Sequence, residues 1–237
     1  VGATPRGITS LTLAGKPSLW TYNAVDNSIS RLSIEEDASL TPVQTIALQD
    51  PRPETLKQGW HLFESARTST TGTFSCASCH ADGHTDQLIW VLDTPKCDVA
   101  GCDQIQPRLT MPMRGLRDTA PYHWDGIVGD PHGGNNTANI NTQLAPTCAK
   151  GVALDCARVL VDATLANTMC GTESCETGPS GLAGKLTTEE RNQLAAFNLA
   201  IPFPPPPERP TSNRLSAPAF EGMRAVSYTH LTLPTMR

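Results

Sequence analysis

The feature that most constrains this chain is the pentapeptide Cys76-Ala-Ser-Cys79-His80. Two thiols separated by two residues can add across the vinyl groups of haem, and the next residue then presents imidazole to the iron. This is the signature of c-type haem attachment. With eight cysteines and six histidines in 237 residues, such a pentapeptide is expected by chance about 0.007 times. A disulfide oxidoreductase would set its CxxC in a βαβ context, which this sequence lacks, and a zinc site would need a second matching pair. The motif therefore predicts a haem c held by Cys76 and Cys79, with His80 as the proximal ligand. Covalent haem attachment takes place outside the cytoplasm, so a periplasmic or other extracytoplasmic location is expected.

The other six cysteines fall into local pairs, Cys97/Cys102, Cys148/Cys156 and Cys170/Cys175. Fifteen connectivities are formally open to six cysteines, and the preference for these three rests on proximity. Short disulfide loops of this kind would staple segments that have little apolar core of their own.

Composition narrows the partners. Charged residues make up 17% of the chain and the formal net charge is -5. An acidic balance with no basic cluster argues against nucleic acid or an anionic membrane surface. No apolar run approaches the ~20 residues of a membrane span. The expected partner is a periplasmic electron-transfer protein or a small redox substrate.

Periodicity divides the chain. Four short runs, Ile8 to Leu13, Leu19 to Asn23, Ile29 to Ile34 and Val43 to Leu48, alternate as strands and are spaced as an antiparallel meander. Four such strands make one propeller blade, so residues 1–50 are expected to be a blade remnant. Pro51-Arg-Pro53 breaks the pattern, and Glu54 to Ser65 carries an apolar stripe that predicts a helix. Residues 85–150 read mostly as loop. Val152 to Met169 has helical spacing, with Gly171 just past its end, and Thr187-Thr-Glu-Glu190 resembles a capping box that opens a helix over 189–200. Pro202-Phe-Pro-Pro-Pro-Pro207 ends that helix as an extended linker. The expected class is mainly α, a loop-rich haem domain over 51–208 preceded by the small β segment.

Both ends carry further expectations. Val1 stands where Met would start a gene and no signal-peptide pattern precedes it, so a missing N-terminus is expected, and the chain reads as truncated at both ends. Ala219-Phe-Glu-Gly222 echoes Leu56-Lys-Gln-Gly59 after a second Pro-rich break, so 209–225 reads as the start of a second, similar domain. Residues 226–237, beginning Val226-Ser-Tyr-Thr-His230, resemble a translated sequencing adapter.

Gly59-x-x-x-Phe63, the CxxCH motif, Leu109-Thr-Met-Pro-Met-Arg114, Ala120-Pro-Tyr-His-Trp124-Asp-Gly126 and Leu186-Thr-Thr-Glu-Glu190 occur in that order. In this order they resemble one haem domain of the bacterial di-haem cytochrome c peroxidase family, over about residues 53–225. The β segment resembles the last blade of a YVTN-type propeller. The resemblance implies a second haem in the full protein. It also implies a thioether as sixth ligand, for which Met169 has the matching place in the order. Met111, in a Pro-flanked loop, is the second candidate, and His84, His123 and His132 remain open. Arg114 aligns with an arginine near the haem edge, where its guanidinium suits a propionate. Trp124 aligns with a tryptophan between the two haems. Thr168 occupies the place of a glutamate that serves peroxide cleavage in the peroxidatic domain, and a hydroxyl cannot do a carboxylate's proton transfer at neutral pH.

Three functions follow in order of preference. The first is electron transfer through a six-coordinate haem. The second is a peroxidase or oxidase acting with the second haem. The third is a propeller-based binding module with accessory haem.

Overall fold

The alternating runs at the N-terminus form a four-stranded antiparallel sheet in the order β1-β2-β3-β4, with β1 over Pro5–Leu13, β2 over Lys16–Asn23, β3 over Ser28–Ile34 and β4 over Leu40–Ala47. Each strand pairs with its sequence neighbour, so short local turns dictate the topology. Ladder pairing carries most of the strands past the ends of their alternating runs. The buried positions lie on β2 and β3, whereas β1 and β4 are exposed along their whole length. The buried face is unusually polar. Asn23 donates to the hydroxyls of Ser28 and Ser30, both at 2.9 Å, which satisfies its amide nitrogen inside the sheet.

The computed structural model describes residues 4–91, 107–123, 126–133, 145–170, 177–178, 181–182, 186–208, 210, 212 and 214–231. Its contacts group Val1–Pro202 into one compact unit and Phe203–Arg237 into a second. The second unit contains a helix over Ala217–Leu231, which includes Gly222.

In the first unit, α1 (Glu54–Glu64) packs against α4 (Thr188–Ala200). Gly59 makes that approach possible, because a Cβ there would stand 2.2 Å from the Gln193 carbonyl oxygen and 2.6 Å from the Phe197 Cβ. Phe197 fills the space beside it, with its ring 5.3 Å from that of Phe63 and stacked 6.2 Å from that of Trp60. The third long helix, α3 (Ala153–Ala166), completes a core built from Leu62, Phe63, Val161, Leu165, Leu194 and their neighbours. α3 and α4 are also joined by an ion pair from the buried Arg191 to the partly exposed Asp162 at 3.0 Å, and Arg158 shares the same carboxylate at 2.9 Å. The capping box at the start of α4 forms as its spacing predicts, with Thr187 and Glu190 each accepting from the other's backbone N–H.

Two expectations are corrected. The fold is not mainly α: the described residues are 35% helical and 22% strand, and the four-stranded sheet is a major element. Its strands run over seven to nine residues, whereas α2 (Cys76–Cys79), over the CxxCH, is a single turn. A pair of short strands, β5 (Ile89–Val91) with β6 (Pro107–Leu109), adds strand where loop is expected, and β7 (Thr177–Gly178) pairs with β8 (Gly181–Leu182). The helix expected to run to Met169 stops at Ala166. The Asn167 side chain donates to the Ala163 carbonyl, and the Met169 N–H reaches back to the Thr164 carbonyl at 3.0 Å, so Met169 lies in a turn beyond the helix.

One expected disulfide is present: Cys148 is bonded to Cys156 on the first turn of α3. Cys170 is disulfide-bonded as well. Cys97, Cys102 and Cys175 lie outside the described residues.

Candidate functional site

The CxxCH motif is introduced by Ser75, which caps α2. The Ser75 N–H donates to the Ser78 hydroxyl at 3.0 Å, and the His80 N–H closes the turn on the Cys76 carbonyl at 2.9 Å. This single turn brings both sulfurs and the imidazole to one wall of a cavity of about 350 Å³. That volume falls in the roughly 300–1,000 Å³ range of small-molecule and cofactor sites. Cys76 and Cys79 are both free thiols. Burial pushes the Cys76 thiol up to about 11, opposed by the hydroxyl of Thr68, and burial with the charge of Asp86 raises Cys79.

His80 lines the cavity with its Nδ1 buried and unpartnered. Burial lowers its proton affinity, partly offset by backbone groups of His84 and Met111 and by Asp86, so the ring is held neutral. The two backbone groups stand near the ring but outside hydrogen-bond geometry at Nδ1. A neutral imidazole is the form that ligates metal.

The opposing walls come from the 110–123 segment, from α3 and the turn after it, and from α4. Met169 and Met111 both line the cavity but differ in setting. Met169 is 3% exposed within the main core, and its carbonyl accepts from the Thr70 N–H at 2.9 Å. Met111 is 40% exposed. Its segment is stitched to the loop that follows His80, by the Met113 N–H to the Gly83 carbonyl at 3.0 Å and by the Thr85 hydroxyl to the Thr110 carbonyl at 2.7 Å. A Cβ on Gly83, in the left-handed region at φ 68°, would stand 2.8 Å from Ile201, so this loop packs tightly on the end of α4.

Thr168 and His123 also line the cavity, whereas His84 and His132 do not. Arg114 is not part of the wall either. Its guanidinium donates to the Asp82 carbonyl from Nε at 3.4 Å and from Nη2 at 3.3 Å. Trp124 lies outside the described residues. Among the described residues no group of three or more His, Cys, Asp or Glu side chains gathers as a metal site, and no helix is long and apolar enough to cross a membrane.

Two wall residues escape sequence reasoning. Tyr122 is 3% and Asn198 is 4% exposed, and the Tyr122 hydroxyl and the Asn198 amide oxygen are buried without hydrogen-bond partners. The signal for Asn198 was available: it continues the stripe Arg191, Leu194, Ala195 at helical spacing and is therefore a polar residue on a buried face.

The residues present fit a haem. The wall is largely apolar, both thiols are free, the imidazole is held neutral, and polar atoms of His80, Tyr122 and Asn198 are left unsatisfied around the same cavity. Each unsatisfied buried polar atom costs about 1–3 kcal/mol, which a polar-edged occupant would relieve.

No protein-family model matches the chain, and no curated protein matches it. Among solved structures it is similar to a chain of Kuenenia stuttgartiensis hydrazine synthase pressurized with 20 bar xenon, with 20% identity and a TM-score of 0.40. The match covers 78% of this chain and 48% of that one, so the chain spans about half of that protein's length. A likeness this distant assigns neither family nor function.

Proposed function

We propose that this chain is a c-type cytochrome that transfers electrons in the periplasm or another oxidising space outside the cytoplasm, as one domain of a di-haem peroxidase-like protein. The observation that carries this reading is the convergence of Cys76, Cys79, His80 and Met169 on one apolar cavity. When bound, haem supplies one-electron chemistry at its iron. The chain's own residues do the rest. Cys76 and Cys79 anchor the macrocycle edge, and His80 offers a neutral imidazole nitrogen. Met169, from the turn after α3, offers a thioether, which favours the reduced state more than a second imidazole would. The apolar wall excludes water, so a charge change inside it is felt strongly. Thr168 beside Met169 brings no carboxylate to accept a proton, which supports electron transfer over peroxide cleavage at this site. The Cys148–Cys156 disulfide supports an oxidising compartment.

The test is expression of the full chain with a periplasmic cytochrome c maturation system. The expected product carries haem that survives acid-acetone extraction, and that haem is lost in the Cys76→Ala/Cys79→Ala double variant. Its ferric spectrum is low-spin and does not change with peroxide. A wild-type chain that emerges without covalent haem overturns the proposal. A high-spin chain that binds peroxide overturns the electron-transfer role.

A further inference from the structure

We propose that Tyr122 and Asn198 are the positioning residues that hold a haem carboxylate inside the cavity. This inference rests on the haem reading above. A carboxylate enclosed by an apolar wall is costly unless hydrogen-bond donors meet it. The resemblance gives that task to Arg114, but the Arg114 guanidinium is engaged with the Asp82 carbonyl and is absent from the wall. Most wall hydroxyls are also committed. Thr164 donates to the Leu160 carbonyl at 2.9 Å, Thr119 donates to the Leu116 carbonyl at 3.1 Å, and Ser75 pairs with Ser78 in the cap of α2.

Tyr122 and Asn198 are different. Each is more than nine-tenths buried, each lines the cavity, and each carries a buried polar atom with no partner. Burial raises the Tyr122 phenol, so it stays protonated and able to donate. The unpartnered atom of Asn198 is its amide oxygen. The two ends of a carboxamide have the same shape, and exchanging them aims the N–H₂ at the same place. A carboxylate, with about four acceptor positions, can take both donors at once.

The test uses the full-length haem-loaded protein and the single variants Tyr122→Phe and Asn198→Leu. Phenylalanine keeps the ring that packs against Gly129, where a Cβ would stand 2.7 Å from Tyr122 Cδ2. Leucine keeps the branched shape of the side chain on α4. The readout is the haem carboxylate bending band in the resonance Raman spectrum, taken in H₂O and in D₂O. The wild-type band is expected to shift in D₂O, because the donors exchange. Each variant is expected to move the band and to weaken its isotope shift, with covalent haem and the spin state retained. Either variant alone is decisive should the other fail to fold. A band unmoved in a haem-loaded variant overturns the carboxylate assignment and leaves the cytochrome reading standing, whereas a wild-type chain that acquires no haem overturns both.

Discussion

Gly59 and Gln193 meet where α1 crosses α4, and a Cβ on Gly59 would stand 2.2 Å from the Gln193 carbonyl oxygen. The atom in the way is backbone, so it cannot swing aside. Gly59→Ala therefore forces the two helices apart and loosens the stacking of Phe197 on Trp60 and Phe63. The expected loss is about 2–3 kcal/mol, the upper part of the range for overpacking a core. It should appear as a lower denaturation midpoint with an unchanged slope. Gly222, by contrast, has nothing within 4 Å of its would-be Cβ and lies inside an exposed helix, so Gly222→Ala should cost nothing in packing and should not lower the midpoint.

The two methionines make separable predictions. Met169 is buried and enters from the end of α3, whereas Met111 is exposed and its segment is tied to the loop that follows His80. Met169→Leu nearly conserves volume and should cost less than ~1.5 kcal/mol in stability. In the haem-loaded protein it should convert the low-spin spectrum to high-spin and lower the reduction potential. Met111→Leu should leave both unchanged. The opposite pattern in the two optical spectra would move the sixth ligand to Met111.

The Cys148–Cys156 disulfide closes a short loop onto the first turn of α3, and both cysteines pack in a small core with Tyr122 and Leu160. Closing a loop of this size is worth about 2–3 kcal/mol in the chain-entropy model. Cys148→Ser/Cys156→Ser should lower stability by that amount in urea unfolding. Treating the wild type with reductant should reproduce most of the loss, and leave the double variant unaffected at this site.

These relationships were legible in the sequence to different degrees. Strand order was legible because each strand pairs with its neighbour, so alternation and turn residues contain the topology. The capping box of α4 was legible because it is a local spacing rule whose partners lie within four residues. The end of α3 was not. Apolar spacing continues to Met169, but the Asn167 side chain and the Thr164 carbonyl divert the backbone first. The balance of helix and strand was misjudged although the four N-terminal strands were visible, because that sheet, not the short β5–β6 pair, supplies most of the strand. Arg114 shows the same limit at the site. An arginine near a CxxCH invites a propionate role, and the structure adds that its Nε and Nη2 lean on the Asp82 carbonyl, 32 residues earlier, a contact no local spacing reveals. Asn198 was legible as a polar residue on a buried helical stripe, whereas Tyr122 stands out only through its burial and its unpartnered hydroxyl.

Acid stability should report on Asp50. Its carboxylate accepts from Arg52 through Nε at 2.8 Å and Nη2 at 2.6 Å. The same guanidinium donates to the Ala24 and Val25 carbonyls at 3.3 and 3.2 Å and lies 4.7 Å from the centre of the Trp60 ring, so it joins the end of β2 to α1. The Arg52 hydrogen bonds hold Asp50 down at about 2, against an ordinary 3.8. A carboxyl depressed in the folded state stabilises the protein above its unfolded value, and that contribution disappears as pH falls through its folded value. The stabilisation should therefore be complete above about pH 4 and vanish toward pH 2. Asp50→Asn should be less stable than wild type at pH 6, and the gap should close on acidification. Denaturant midpoints of the two proteins between pH 6 and pH 2 measure this directly, and a gap that stays constant over that range would show that the Asp50–Arg52 pair does not join the sheet to the helices.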